Sequence, residues 1–143
     1  MKKTVLVLLC LFAALLCGCD KKEQNIMETK SGKTVSFINN ACGADVWILP
    51  ETEENLKTTV WGTATVSKTE TGESYEAQLA AADGSYIFRM IDTEEFFYSA
   101  NGIELENGWT LQIKSENSDS VILEVSDGNG ALKKTYEVFK ARL

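Results

Sequence analysis

The segment LLCGCD, Leu15–Asp20, sets Cys17 and Cys19 one residue apart. Paired thiols can ligate a metal, close a disulfide or serve as an attachment point. A structural zinc needs four ligands at suitable spacing, and the 143-residue chain has four cysteines and no histidine. The missing histidine also removes the Ser-His-Asp and Cys-His arrangements of nucleophilic catalysis. Carboxylates are plentiful: Glu94-Glu95, Glu104 with Glu106, and Glu51 with Glu53 and Glu54. Nothing in the sequence fixes the separation that a glycosidase pair requires, so they are read as solvated loops. Asp127-Gly128-Asn129-Gly130 lacks the third carboxylate and the closing Glu of a calcium loop and is read as a hairpin turn. No catalytic residue, metal or cofactor is assigned.

The residues before the cysteine pair decide among its chemistries. Lys2 and Lys3 form a positive start, and Thr4–Leu16 is a charge-free segment of 13 residues. A membrane-spanning helix needs roughly 20, so this segment has the plan of a cleaved secretory signal. A peptidase cutting in front of a cysteine needs a small residue just before it. Gly18 meets that need for Cys19, whereas Leu16 is too large for Cys17. Leu16-Cys17-Gly18-Cys19 resembles the bacterial lipobox. The resemblance implies removal of residues 1–18, a diacylglyceryl group on the Cys19 thiol, and an acylated (palmitate-type) N-terminus. Two or more chains pass the threshold for stable anchoring. The expected location is the cell membrane or outer membrane, on the extracytoplasmic side.

Removing Lys2 and Lys3 leaves 12 basic residues against 21 acidic ones, a net charge of −9. Such a body is repelled by phosphate, which argues against nucleic acid and against flat docking on anionic lipid. The remaining 125 residues suit one domain. Residues 19–33, from Cys19 through DKKEQNIMETKSGK, are polar and read as the lipidated N-terminus and a flexible tether. Cys42 would be the only thiol left beside an acylated Cys19. It is either buried as a small apolar group or exposed for intermolecular pairing, and burial is the favoured reading.

Residues 34–143 carry a strand pattern. TVSFI (34–38), ADVWIL (44–49), GSYIFRMI (84–91), WTLQI (109–113) and SVILEV (120–125) are rich in β-branched and aromatic residues. Trp109, Leu111 and Ile113 alternate with Thr110 and Gln112, as in a half-buried strand. Asp83-Gly84, Asn101-Gly102, Asn107-Gly108 and the 127–130 segment read as tight turns. Residues 121–138 form a terminal hairpin. Glu73–Ala82 has local helix propensity but lies among strands, and it is read as a strand. Seven to nine strands predict one antiparallel β-sandwich, immunoglobulin-like in general architecture.

The landmarks SFINN (36–40), VWILP (46–50), WG (61–62), YIFRMID (86–92), FFY (96–98) and IELENGWTLQI (103–113) resemble a recurrent module of bacterial secreted proteins and lipoproteins. The resemblance covers roughly residues 35–114 and implies a small β-sandwich without an established activity. The chain departs from the module after Trp61-Gly62, where TATV replaces a polar-Leu-Leu continuation.

Aromatic side chains are the remaining candidates for contact. Trp61, Trp47 and Tyr98 can stack on sugar rings or anchor a protein partner. Trp109 follows the core alternation and is expected to be buried, whereas Trp61 beside Gly62 is the best loop candidate. The expected protein is a lipid-anchored, non-catalytic binding or structural module of the envelope, with an unknown protein or glycan partner and no nucleic acid. A carbohydrate-binding accessory lipoprotein is the alternative, and an envelope hydrolase the remaining class.

Overall fold

The computed structural model describes residues 32–142. The signal segment, the lipobox and Cys19 fall outside the described residues, as does most of the tether. The compact unit runs Gly32–Leu143. Its strands are β1 (Lys33–Asn39), β2 (Ala44–Pro50), β3 (Val66–Thr69), β4 (Ser74–Leu79), β5 (Tyr86–Asp92), β6 (Phe96–Ile103), β7 (Thr110–Glu116), β8 (Ser120–Ser126) and β9 (Leu132–Arg142). A single short helix among the described residues, α1 (Glu53–Lys57), follows β2. Glu73–Ala82 holds strand β4, so its neighbours override its helix propensity.

Alternation decides which side chains face inward. Val35, Phe37 and Asn39 of β1 are buried, as are Ala44, Val46 and Ile48 of β2. All but the polar Asn39 join Phe88, Met90, Tyr98, Leu111, Ile113, Leu123 and Val138 in one hydrophobic cluster. The strands form a nine-stranded sheet in the order β3-β2-β5-β6-β9-β8-β7-β1-β4. β9 joins the two flanks: Leu132–Phe139 pairs with β8, and Lys140–Arg142 pairs with β6. The end strands β3 and β4 are consecutive in the chain, and the Tyr75 hydroxyl accepts the Glu70 N–H at 2.7 Å across their turn. The sheet therefore comes close to closing on itself.

Two features differ from the expected architecture. The sheet is continuous and mixed, not purely antiparallel, because β1 pairs with β7 in parallel, Phe37 opposite Leu111. These strands lie far apart in sequence, so no tight turn imposes an antiparallel pairing. Asn101-Gly102 is not a turn but lies inside β6, where the register against β5 shifts and Gly102 adopts φ +68°. Glycine takes that conformation without the Cβ penalty and here creates a β-bulge. The 127–130 segment is a hairpin turn. Asp127 Oδ1 accepts the N–H groups of Asn129 and Ala131, and Lys133 pairs with Oδ2 at 2.9 Å. The Lys133 hydrogen bond, then the two backbone ones, hold the Asp127 carboxyl below its ordinary value.

Asn39 shows why a polar residue can sit in this core. Its Oδ1 accepts the N–H groups of Ala41 and Cys42, and its Nδ2 donates to the Cys42 carbonyl and to Thr69 Oγ1. Thr69 in turn donates to the Ala44 carbonyl at 3.0 Å. One fully buried amide thus shapes the β1–β2 connection and ties it to β3. Asn39→Leu has similar volume but leaves several of these groups unpaired, and it should lower stability by about 3 kcal/mol. A urea melt checks this, and an unchanged midpoint would show that the network contributes nothing. Cys42, at the same corner, is half-buried and packs against the core cluster.

Gly32 fixes where the chain enters. A Cβ placed there would lie 2.0 Å from the Leu79 carbonyl oxygen, so only glycine lets the backbone pass the end of β4.

Candidate functional site: an outward aromatic cluster

β5 breaks the alternation that rules the other strands. Tyr86, Phe88, Met90 and Asp92 face the core, yet Ile87 and Arg89 on the opposite face are also buried. A strand buried on both faces must be covered on both. The cover is the segment between β2 and β3. It begins at Glu51, whose Oε2 accepts the Gly102 N–H of β6 at 2.6 Å and the Ser85 hydroxyl at 2.8 Å. Thr52 Oγ1 then caps α1 by accepting the Asn55 N–H, with Glu53 and Glu54 in the first turn. The segment ends at Thr65, whose hydroxyl accepts the Ile48 N–H.

Trp61 lies at the centre of this cover. Its ring stacks on Phe97 of β6 at a centroid distance of 5.2 Å and an interplanar angle of 14°. Its other neighbour is Trp47 of β2, at 5.4 Å and 65°, an edge-to-face contact. Both geometries suit the ring quadrupole. Each indole N–H is satisfied by a loop carbonyl: Trp47 donates to Gly62 at 3.1 Å and Trp61 to Thr58 at 3.2 Å. Gly62, at φ +67°, supplies the turn that brings its carbonyl onto Trp47. The tip of the segment is apolar: Val60 is 80% exposed and Leu56 43%. Thr58–Thr65 carries no charge.

Trp61 and Trp47 are thus brought together and face outward, half-buried. Tyr98 is a correction: it is fully buried, and its hydroxyl donates to Asp92 Oδ2 at 3.0 Å. Tyr98 shares its face of β6 with the core, whereas its neighbour Phe97 points out. Phe97, which the sequence reading did not single out, is the third member of the outward cluster. The signal for it was the FFY run itself, since neighbouring aromatics on a strand must face opposite sides. Trp109 packs against the core but remains half-buried.

No family model, curated protein or solved structure matches the chain.

The polar groups near the cluster are engaged structurally. Arg89, in the outward row between Trp47 and Ser99, donates to the Phe88 carbonyl at 3.1 Å and to Asn101 Oδ1 at 3.0 Å. Burial pulls its guanidinium below the ordinary arginine value, and the Glu51 carboxylate pushes it back up. Asp92 Oδ1 accepts the N–H groups of Glu94 and Phe96, closing the β5–β6 turn. The Tyr86 hydroxyl donates to the Ala80 carbonyl, and burial, with Glu106 adding, pushes the phenol up. The Tyr-x-hydrophobic-Arg-x-x-Asp stretch therefore organises the fold: a core tyrosine, an outward arginine under the cover, and a turn-closing aspartate.

Proposed function

We propose that this chain is a lipid-anchored, non-catalytic binding or structural module of the bacterial cell envelope, held outside the membrane through acylated Cys19. A carbohydrate-binding accessory lipoprotein is the more specific version of the same reading. We also propose that the two flanks of the sheet face one another as sandwich layers, because their inward residues share one cluster. The anchor rests on Leu16-Cys17-Gly18-Cys19.

The observation that carries the binding role is the cluster of Trp47, Trp61 and Phe97. Three large rings on the outer face, stiffened by indole hydrogen bonds, lie beneath an uncharged tip with Val60 exposed. Aromatic side chains of this kind dominate contact energies because they bury large area at small entropic cost. The buried or half-buried carboxylates Asp92 and Glu51 are spent on backbone and hydroxyl donors, which supports a non-catalytic role.

Trp61→Ala tests the role. Because the ring is half-buried between two others, its loss should cost about 1–2 kcal/mol of stability. Ligand capture from envelope extract or a glycan panel should fall by about 2 kcal/mol or more, as at an interface hot spot. A variant that still folds and captures its ligand as the wild type does would remove the cluster from the binding surface.

A further inference from the structure

The strand order ends on β3 at one side and on β4 at the other, and these two strands do not pair with each other. β3 is a poor template for a further strand. It has four residues, its register shifts against β2, and Lys68, at φ +51°, spends its N–H on Asp45 Oδ1 at 2.7 Å. Short length, a bulge and an edge lysine all blunt a sheet edge against further pairing. β4 carries none of them. Ser74–Leu79 stands opposite Lys33–Ile38 of β1 in one unbroken register and contains neither lysine nor proline. The hydrogen bonds of β1 show which way the β4 backbone points. The Ser36 and Asn40 N–H groups donate to the Trp109 and Ile113 carbonyls, and the Thr34 carbonyl accepts from the Gly108 N–H. Even-numbered residues of β1 therefore serve β7, and Val35 and Phe37 serve β4 through Ala77 and Tyr75. Ser74, Glu76 and Gln78, all exposed, are left to turn their N–H and C=O groups outward. Among the described residues no strand lies beyond them.

Charge along this edge selects its occupant. Glu76 lies on the outer face of β4, where its Oε1 accepts from Gln78 Nε2 at 2.9 Å. Glu70 and Glu73 are exposed in the turn that leads into the strand. Opposite charges on facing residues stabilise a strand pair, and like charges oppose it. A second copy of the chain would bring the same three carboxylates to the joint. The inner side of β4 presents Ala77, Leu79 and the half-buried ring of Tyr75, so alternate residues of an added strand meet apolar neighbours. We propose that β4 takes up an extended basic segment of a partner protein as an added strand. Lysine or arginine lies beside Glu76 and alternates with apolar residues beside Tyr75 and Leu79. A segment of about six residues spans about 20 Å and covers the edge. This goes beyond the binding role proposed for Trp47, Trp61 and Phe97, which lie on the other flank of the sheet.

The test uses the purified full-length protein in an uncharged detergent. The probes are a dye-labelled octapeptide alternating lysine and valine, and its counterpart alternating glutamate and valine, followed by fluorescence anisotropy. The lysine peptide should bind saturably and the glutamate peptide about tenfold more weakly or not at all. Glu76→Lys reverses the facing charge at an exposed position, and Gln78→Pro removes an outward N–H that β1 does not use. Each should weaken the lysine peptide about tenfold or more, and circular dichroism should show both variants folded. Glu53→Lys makes the same charge change on exposed α1 and should bind as the wild type. The proposal is overturned if the lysine peptide does not bind, if the glutamate peptide binds as well, or if Glu76→Lys and Gln78→Pro both bind as the wild type does. Sedimentation that finds a dimer dissolved by Gln78→Pro would give the edge to a second copy and overturn it too. Capture from envelope extract that stays sensitive to Trp61→Ala in any of these cases leaves the binding-module reading standing.

Discussion

Tyr98→Ala should lower the unfolding free energy by about 4 kcal/mol, among the largest effects of any single substitution in the domain. The residue is fully buried in the hydrophobic cluster, and truncating a large core ring typically costs about 3–5 kcal/mol through lost burial and the cavity left behind. The hydroxyl adds a second loss, because Asp92 Oδ2 is its acceptor and Asp92 also closes the β5–β6 turn through Oδ1. Tyr98→Phe separates the two contributions. It keeps the ring and removes only the hydroxyl, so it should cost about 1–2 kcal/mol. Native domains are stable by only about 5–15 kcal/mol, so the alanine variant should be partly unfolded at moderate temperature, whereas the phenylalanine variant should fold. Urea midpoints and near-ultraviolet circular dichroism measure both. An alanine variant as stable as the wild type would place Tyr98 on the surface and undo the inward assignment of β6.

Much of the fold was legible because strand alternation is a local signal. Val35 and Phe37, or Leu111 and Ile113, announce an inward face whatever their distant partners are, whereas the burial of the polar Asn39 was not legible. Turn chemistry was equally local at Asn107-Gly108 and Asp127–Gly130, where glycines at φ +80° and +81° serve the turns. The same chemistry misled at Asn101-Gly102. A glycine at positive φ serves a bulge as well as a turn, and only the strand opposite decides between them. Strand order was not legible, since the parallel pairing of β1 with β7 joins segments far apart in sequence.

The candidate site was half legible, for the same physical reason. Trp61 beside Gly62 could be picked as a loop aromatic from composition alone. Its stacking on Phe97 and its contact with Trp47 depend on the Glu51–Thr65 segment folding over β5. YIFRMID did carry a trace of that cover. An apolar run from Tyr86 to Ile91, interrupted only by Arg89, is the pattern of a strand covered on both sides. The choice between Tyr98 and Phe97 turns on a register of one residue, which flips a side chain to the opposite face.

If the chain is anchored as proposed, Cys19→Ala should abolish lipid labelling outright. On the proposed reading Cys19 would carry a thioether-linked diacylglyceryl group and a further N-acyl chain, enough for stable anchoring where a single chain gives only marginal binding, and alanine accepts no thioether-linked lipid. The bond after Gly18 would then remain uncut, leaving precursor with residues 1–18 attached. The downstream domain should be indifferent, because Cys19 lies outside Gly32–Leu143, so the same variant expressed without residues 1–18 should melt as the wild-type domain does. The most direct measurement of the account's central claim is metabolic labelling with a traceable fatty acid, combined with intact mass of the mature protein. The wild type should incorporate label and begin at a modified Cys19, and Cys19→Ala should incorporate none. Label entering the Cys19→Ala protein, or a wild-type chain that begins at another residue, would contradict the anchor and with it the envelope role.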